Sequence, residues 1–282
     1  MKKIIVQCPM SNVRGLLTFN FGLRTFIVIL LLTLDFGLWP SDFIYADELQ
    51  NILAKLKSND ESLKTCRGSI IQTTILGKNK KTFSGKFYFQ KPDKVKIEYE
   101  KPFSQIIVSN DEKFWQYVPS QKTVRVAKWS ELDIFERPQL DFGLNILGLL
   151  KEDYVLELKG FAKLDGEETI LINATPNVKT EIKNISKISI WVSKEFLMPL
   201  KFEIYDKDGN VLGWVMYENY KNYSDVMFPQ KIHIWNRLPS GHIFNHITYK
   251  NVDINKSIAQ NIFNFVPPEG TKVVEIKKKG GD

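Results

Sequence analysis

The stretch from residue 83 to residue 126 constrains the fold most strongly; it reads FSGKFYFQKPDKVKIEYEKPFSQIIVSNDEKFWQYVPSQKTVRV. Apolar and polar residues alternate along it, and turn-forming pairs separate the apolar runs. This pattern is typical of short strands joined by hairpin loops. The stretch therefore predicts four or five strands of one antiparallel sheet.

The first hairpin of this stretch is predicted to have one apolar face. A three-residue loop at 92–94 gives the cross-strand pairs Lys91–Val95, Phe89–Ile97 and Phe87–Tyr99. The shared face of these pairs is apolar along the strands and ends in the cation of Lys91.

The following strands are predicted to be joined by two-residue loops at Asp111-Glu112 and Ser120-Gln121. These loops place six apolar side chains on one shared face: Ile106, Val108, Trp115, Tyr117, Val124 and Val126. A strongly curved sheet with an apolar inner face encloses a pocket, as small barrels do. A sheet whose core is filled by its own side chains is the alternative that composition leaves open.

Turn-forming pairs predict three more hairpins downstream. Asp165-Gly166 and Asp208-Gly209 lie between apolar runs, and Pro239-Ser240 lies at the tip of a hairpin at 231–248. In this last hairpin His233 faces His246, and all three histidines share the face opposite the isoleucines. One opposed pair without a cysteine or carboxylate is a poor metal site, so we predict solvent-facing histidines and no metal.

The charge distribution argues against nucleic-acid binding. The 282 residues include 39 Lys or Arg and 32 Asp or Glu, a formal net charge of +7, and the two signs are interleaved instead of clustered. We therefore predict a solvated surface of mixed charge and no nucleic-acid partner.

The N-terminal 46 residues have the pattern of an export signal. Basic residues precede an apolar run at 26–34, and Ala46 is a small residue before a cleavage point at Asp47. The run is shorter than the ~20 apolar residues that a membrane-spanning helix needs. We predict a cleaved signal peptide at 1–46 and, since no repeat or linker divides the rest, a single domain at 47–282. A retained N-terminal anchor is the alternative.

Two helical segments are predicted in that domain. Residues 47–57 have the spacing of an amphipathic helix that packs across one mouth of the sheet. Residues 139–150, QLDFGLNILGLL, are apolar nearly all round a helix, and each of their two glycines weakens a helix by ~1 kcal/mol relative to Ala. This second segment is either a short buried helix or loop, or a movable lid over an apolar cavity. Its apolar residues are Leu140, Phe142, Leu144, Ile146, Leu147, Leu149 and Leu150.

Familiar catalytic motifs are missing from the sequence. It has no Gly-x-Ser-x-Gly elbow, no His-Glu-x-x-His pair and no phosphate-binding loop. All three histidines lie within fourteen residues on one predicted hairpin. We therefore predict no enzymatic activity, no catalytic residue and no cofactor.

Several ordered blocks resemble the LolA family, the periplasmic carriers of outer-membrane lipoproteins. Lys91-Pro92, EYEKP at 98–102, IIVSND at 106–111 and FWQYVP at 114–119 occur in the order found in that family. FNFVPPEGTKV at 263–273 matches the far end of the family pattern. The longer segment at 188–252 is more similar to the broader lipoprotein-sorting group related to LolA.

This resemblance implies a mainly β (α+β) fold: a strongly curved antiparallel sheet that forms an unclosed β-barrel with short helices as a lid. An apolar cavity in such a fold would hold acyl chains. Its predicted ligand-binding residues are Phe87, Phe89, Ile97, Tyr99, Ile106, Val108, Trp115, Tyr117, Val124 and Val126. Lys91 matches the family's functional arginine and would be a latch on the lid carbonyls. A lysine that extends to water is the alternative.

The function implied is that of a monomeric periplasmic carrier in a Gram-negative bacterium. It would receive acylated lipoproteins, or another lipid amphiphile, from an inner-membrane lipoprotein-releasing transporter and deliver them to an outer-membrane acceptor. The alternative is a periplasmic lipid-sensing regulatory or envelope-structural protein on the same fold.

Overall fold

Antiparallel β-strands dominate the computed structural model. The structure describes residues 40–92, 94–110, 113–128, 154–177 and 184–276, with side chains from residue 47 onward. One α-helix, α1 (Pro40–Ser62), precedes the strands in this part of the chain. The strands are β1 (Thr65–Leu76), β2 (Asn79–Gln90), β3 (Lys94–Lys101), β4 (Gln105–Ser109), β5 (Lys113–Val118), β6 (Thr123–Lys128), β7 (Tyr154–Leu164), β8 (Glu167–Pro176), β9 (Lys187–Ser193), β10 (Pro199–Tyr205), β11 (Val211–Tyr223), β12 (Val226–Leu238), β13 (Gly241–Ile254) and β14 (Lys272–Glu275). Short 3-10 helices lie at Pro119–Gln121 and Gln260–Phe263.

These fourteen strands form one sheet in the order β14-β6-β5-β4-β3-β2-β1-β13-β12-β11-β10-β9-β8-β7. The order consists of two meanders, β1 to β6 and β7 to β13, which are joined where β1 pairs with β13. Strand β14 adds to β6 in parallel, whereas the other pairs are antiparallel. Because β14 and β7 form separate edges, the sheet is curved but unclosed, and the predicted fold class is confirmed.

The helix α1 is longer than the sequence pattern predicts. It begins at Pro40 instead of residue 47, and proline suits the first turn of a helix because the amide hydrogen it lacks would have no partner there. The features below belong to the compact unit Ile44–Asp282. No helix in the described ranges has the length and apolarity needed to cross a membrane.

The main core lies between α1 and one face of the sheet, which we call the inner face. Ile52, Leu56 and Leu63 from the helical region are buried together with strand residues such as Phe87 and Ile234. Burying each such side chain contributes about 1.5–3 kcal/mol relative to leaving it in water. The core therefore fixes α1 on the inner face of the sheet.

Two polar contacts fasten the C-terminal half of α1. The Asn59 side chain, which is buried, donates to the Met227 carbonyl at 3.2 Å and accepts from the Met227 amide at 2.7 Å. The Asp60 carboxylate lies 2.6 Å from the Lys91 ammonium in the turn between β2 and β3. The first contact joins α1 to β12, and the second joins it to the turn between β2 and β3.

Most of the predicted hairpin registers are confirmed. Leu164 pairs with Glu167 around Asp165-Gly166, and the pairs His233–His246 and Trp235–Phe244 occur as predicted. Asp165 and Gly166 both have positive φ, which is the backbone conformation that a two-residue hairpin loop of this kind requires.

The register of the first hairpin was predicted wrongly by two residues. Phe89 pairs with Val95, and Phe87 pairs with Ile97, so that Lys91 lies in the turn instead of on the strand. A shift of two residues leaves every side chain on its predicted face, because strand side chains alternate with a period of two.

The C-terminal segment covers the opposite, outer face of β3 to β6. The 3-10 helix Gln260–Phe263 is followed by Phe265, whose ring centroid lies 5.8 Å from that of Tyr117 and 6.3 Å from that of Trp115. Strand β14 then pairs with β6 through Lys272–Thr123 and the three following pairs. Strand β14, and not β6, is therefore the edge of the sheet on this side.

Candidate functional site

A cavity of about 630 Å³ lies on the inner face of the sheet, lined by residues from β1 to β5 and β11 to β13. This volume is within the range of ordinary small-molecule pockets. Part of its lining is apolar and includes Ile70, Phe83, Ile97, Ile107, Ile247 and Tyr249. These side chains project inward because they occupy every second position of their strands.

A second part of the lining is polar. Gln72, Thr74, Gln105, Gln116, Asn236 and Asn245 contribute amide or hydroxyl groups. We call these six residues the polar belt. Among the described lining residues, Arg237 is the charged one, and it is exposed. The described interior of the cavity is therefore amphiphilic and uncharged.

Hydrogen bonds join part of the polar belt into a network with Tyr99. Gln72 Nε2 donates to Thr74 Oγ1 at 3.3 Å and to Asn245 Oδ1 at 3.1 Å, and Thr74 Oγ1 donates to Asn245 Oδ1 at 2.7 Å. The Tyr99 hydroxyl donates to Gln72 Oε1. Burial raises the pKa of Tyr99, so that this hydroxyl keeps its proton and stays a donor.

Four of the predicted ligand-binding residues lie on the inner face. Ile97 and Tyr99 line the cavity directly. Phe87 and Phe89 are buried beside it in the main core, where Phe87 pairs with Ile97. Of the predicted lining, Ile97 and Tyr99 thus line the cavity, and Phe87 and Phe89 share their face of the sheet without lining it.

The other six predicted residues lie on the outer face. The pairs Lys96–Val108, Ile97–Ile107 and Glu98–Ile106 show that Ile107, and not Ile106 or Val108, shares the face of Ile97. The pairs Ile107–Gln116 and Gln116–Arg125 extend the inner face to β5 and β6. The residues on either side of these positions therefore lie on the outer face: Ile106, Val108, Trp115, Tyr117, Val124 and Val126. Their predicted register was right, but joining them with the inner-face residues in one lining was wrong. Instead, the outer face is covered where the rings of Trp115 and Tyr117 approach Phe265.

In the part of the chain that the structure describes, Lys91 contacts a carboxylate of α1. Its ammonium lies 2.6 Å from Asp60 Oδ2, and the two side chains are 26% and 20% exposed. Its backbone amide also donates to the Lys64 carbonyl at 2.9 Å. The cation therefore connects the β2–β3 turn to α1, and a role in holding a mobile element remains a proposal.

The seven predicted lid residues lie outside the described residues, because they all belong to segment 139–150. The lid is therefore still a prediction from sequence. In the described part of the chain, α1 is the helix that covers the inner face.

The histidine pair is more buried than predicted. His233 Nδ1 and His246 Nδ1 lie 2.5 Å apart, and the Phe244 ring centroid lies 4.2 Å from that of His246. Burial, with help from His233 and Lys80, lowers the pKa of His246. In the described ranges no cluster of three or more potential ligands could hold a metal.

The sequence pattern did not predict the polar belt. Gln72 and Thr74 belong to the polar run Gln72-Thr73-Thr74 of β1, which has no alternation to show which side chains face inward. The faces of β1 and β13 become known only when the register Thr74–Asn245 is known. The signal that the sequence does contain is the recurrence of carboxamide side chains within several of the predicted strands.

Comparison with known proteins identifies related families. A family model described as the outer membrane lipoprotein carrier protein LolA matches residues 61–229. An outer-membrane lipoprotein carrier protein of Methylibium petroleiphilum is 39% identical over 74 residues, which cover 25% of this chain and 36% of that one. A protein of Methanocaldococcus jannaschii is 25% identical over 231 residues, which cover 81% and 53%. The chain thus spans about a third to a half of the length of these curated relatives.

Solved structures share the fold at low sequence identity. A DUF1329 family protein from Desulfovibrio piger has a TM-score of 0.58 at 19% identity, covering 76% of this chain and 95% of that one. A LolA superfamily protein from Nitrosomonas europaea has a TM-score of 0.53 at 18% identity, covering 76% and 97%. The family model matches 61–229, which is more than half of the sequence. The chain belongs to the LolA family.

Proposed function

We propose that this protein carries acylated lipoproteins, holding their acyl chains in the inner-face cavity while they cross the periplasm of a Gram-negative bacterium. The observation that supports this most is the cavity of about 630 Å³ on the fold of a lipoprotein-carrier family. Its isoleucine and aromatic lining suits hydrocarbon. The role is one of binding instead of catalysis.

Acyl chains would gain much of their binding free energy from leaving water. Each buried CH₂ group contributes ~0.8 kcal/mol, so a long chain that is fully enclosed contributes on the order of 10 kcal/mol. A carrier must also release its cargo, and some of this gain has to be offset. We propose that the apolar segment 139–150 competes with lipid for the cavity and supplies that offset. Amide exchange in this segment should then increase when a lipopeptide binds, and unchanged exchange with bound lipopeptide would refute the competition.

The proposed route has a membrane at each end. The protein would act as a monomer, receive cargo from an inner-membrane lipoprotein-releasing transporter and deliver it to an outer-membrane acceptor. Transient complexes with both are expected, since stable binding to either would stop the cycle.

A transfer assay tests the carrier function. Donor vesicles contain a fluorescent synthetic peptide with an N-terminal S-diacylglyceryl cysteine, and acceptor vesicles contain none. We expect the purified protein to speed transfer and to form a one-to-one complex with the lipopeptide in native mass spectrometry. The absence of both a complex and any acceleration would refute the proposal.

Two adjacent isoleucines provide a matched pair of variants. Ile107 lines the cavity, whereas Ile106 is its neighbour on the outer face, and both are partly buried. Ile107→Trp should fill the cavity and reduce transfer strongly, and Ile106→Trp should leave most of it intact. Equal effects of the two variants at equal folded fraction would show that the cavity is not the binding site.

A further inference from the structure

The polar belt has hydrogen-bond donors that the protein itself does not use. Gln72 Oε1 accepts from Tyr99, and Asn245 Oδ1 accepts from both Gln72 and Thr74. The Asn245 Nδ2 group makes no hydrogen bond within the described part of the chain. The network therefore occupies acceptors and leaves an amide donor facing the cavity.

Three more carboxamides of the lining are also unused. The side chains of Gln105, Gln116 and Asn236 make no hydrogen bond to any described residue, and Gln105 is buried. None of these amide groups has a fully buried atom without a partner, so they are accessible to water in the cavity. A ligand that displaces this water removes those hydrogen bonds, at a cost comparable to the bonds themselves, unless it supplies acceptors of its own.

The charge of the lining restricts the kind of acceptor. An ionised carboxylate or phosphate needs a cation beside it when it is removed from water. Arg237, the charged residue of the described lining, is exposed, and the belt itself has no cation. The acceptor that fits is thus neutral, such as the carbonyl of an ester.

We infer that the polar belt recognises the ester carbonyls of a diacylglyceryl group, while the apolar lining takes the attached chains. This inference rests on the proposed carrier function and specifies which part of the cargo gives selectivity. A diacylglyceryl group has two neutral carbonyls at the start of its two chains, so polar and apolar contacts can form together. Both lipoproteins and glycerophospholipids contain this group.

A pair of lipids that differ in the carbonyls alone tests the inference. The protein is incubated with equal amounts of 1,2-dioleoylglycerol and its diether analogue, 1,2-di-O-oleylglycerol, and native mass spectrometry measures the ratio bound. We expect about a tenfold preference for the diester, which corresponds to about 1.4 kcal/mol or one to two net hydrogen bonds. Equal binding of diester and diether would overturn the inference while leaving the carrier function standing. Binding of neither lipid, together with no binding of the lipopeptide, would instead refute the carrier function.

Variants locate the preference in the belt. Gln105→Leu and Gln116→Leu should each lower the diester preference several-fold without weakening diether binding. Gln90→Leu is the matched control, because Gln90 lies outside the lining and bonds to Gln260. A preference unchanged in both belt variants would overturn the assignment. If neither variant folds, the two-lipid comparison on the unaltered protein decides.

Two additional lipids identify the source of the group. The diacylglyceryl lipopeptide and dioleoyl phosphatidylglycerol each compete with dioleoylglycerol for the unaltered protein. Stronger competition by the lipopeptide would support a lipoprotein as the source, and stronger competition by phosphatidylglycerol would support a phospholipid. If both competed less than a tenth as well as dioleoylglycerol, recognition of the shared diacylglyceryl group would be refuted.

Discussion

The ion pair between Lys91 and Asp60 should fasten α1 to the sheet, and Lys91→Met tests this directly. The two charged groups are 2.6 Å apart and about three-quarters or more buried. Met keeps most of the length of the lysine stem and removes the charge. The substitution leaves the Asp60 carboxylate without its cation at the edge of the core.

The size of the effect follows from this burial. An exposed ion pair contributes about 0–1 kcal/mol, whereas a hydrogen bond to a charged group contributes about 1.5–3 kcal/mol. The Lys91–Asp60 pair lies between these situations, so we expect Lys91→Met to lower the free energy of unfolding by about 1–2 kcal/mol.

Urea denaturation gives the free energy, and Lys86→Met is the control. Lys86 and Glu100 are 3.9 Å apart with side chains 60% and 63% exposed, so their separation should cost less than about 0.5 kcal/mol. A double-mutant cycle with Asp60→Asn isolates the pair. Hydrogen exchange should also become faster in α1 in the Lys91 variant.

Two results would refute the role of this pair. The first is a Lys91→Met effect no larger than that of Lys86→Met. The second is a coupling energy near zero between Lys91→Met and Asp60→Asn. Lys91 would then be a lysine that extends to water, which is the alternative interpretation of the sequence. If Lys91→Met slows lipopeptide release while Lys86→Met does not, and the Lys91 variant is still fully folded under the assay conditions, the proposed latch function gains support.

Three other substitutions test the packing of α1, the β2–β3 contact and the histidine pair. Asn59→Ala removes both bonds to Met227 and should cost about 2–4 kcal/mol in urea denaturation. Gly85→Ala places a Cβ 1.9 Å from the Glu98 carbonyl oxygen, so the strands must separate and the melting temperature should fall markedly. Folding lowers the pKa of His246, so as the pH falls the unfolded chain binds a proton at this residue before the folded protein does. The stability that depends on neutral His246 is therefore present in full above about pH 6.5 and is lost as the pH falls below that value. His246→Phe should lose less stability than the unaltered protein between pH 7.5 and pH 5 in urea denaturation.

Each of these substitutions has a nearby control. Asn51→Ala alters an exposed position of α1, Ser84→Ala alters the residue before Gly85, and His242→Phe alters the exposed histidine. Asn51→Ala should change the free energy of unfolding little, Ser84→Ala should change the melting temperature little, and His242→Phe should change the pH dependence of stability little. An Asn59 or Gly85 variant as stable as its control would contradict the packing described, and an equal pH dependence in the two histidine variants would contradict the assignment to His246.

The sequence predicted the sheet and most hairpins because turn chemistry acts locally. Asp165-Gly166 and Pro239-Ser240 each fix a loop of two residues, and the loop length then fixes the register of the pairs next to it, in the first hairpin as far as the shift between Leu158 and Gly160. The turn at Lys91-Pro92 was less informative, since Pro92 fits a loop at 91–93 as well as one at 92–94. Both registers keep the same apolar face, so alternation could not separate them.

The lining of the site depended on contacts between distant parts of the chain. Ile106, Ile107 and Val108 form one apolar run, and such a run has no alternation to show which side faces inward. The outer side is apolar because Phe265 packs over Trp115 and Tyr117 from the far end of the sequence. Composition and spacing contain no signal for that contact. The assignment of Ile106 and Val108 to the cavity failed for this reason.

Photo-crosslinking tests the central claim most directly. A diacylglycerol with a diazirine in the middle of one acyl chain is bound to the unaltered protein, irradiated, and located by peptide mass spectrometry. The proposed carrier function predicts adducts on inner-face residues such as Ile70, Ile97 and Ile247, which line the cavity. Adducts confined to the outer face, near Trp115 or Trp214, would contradict it.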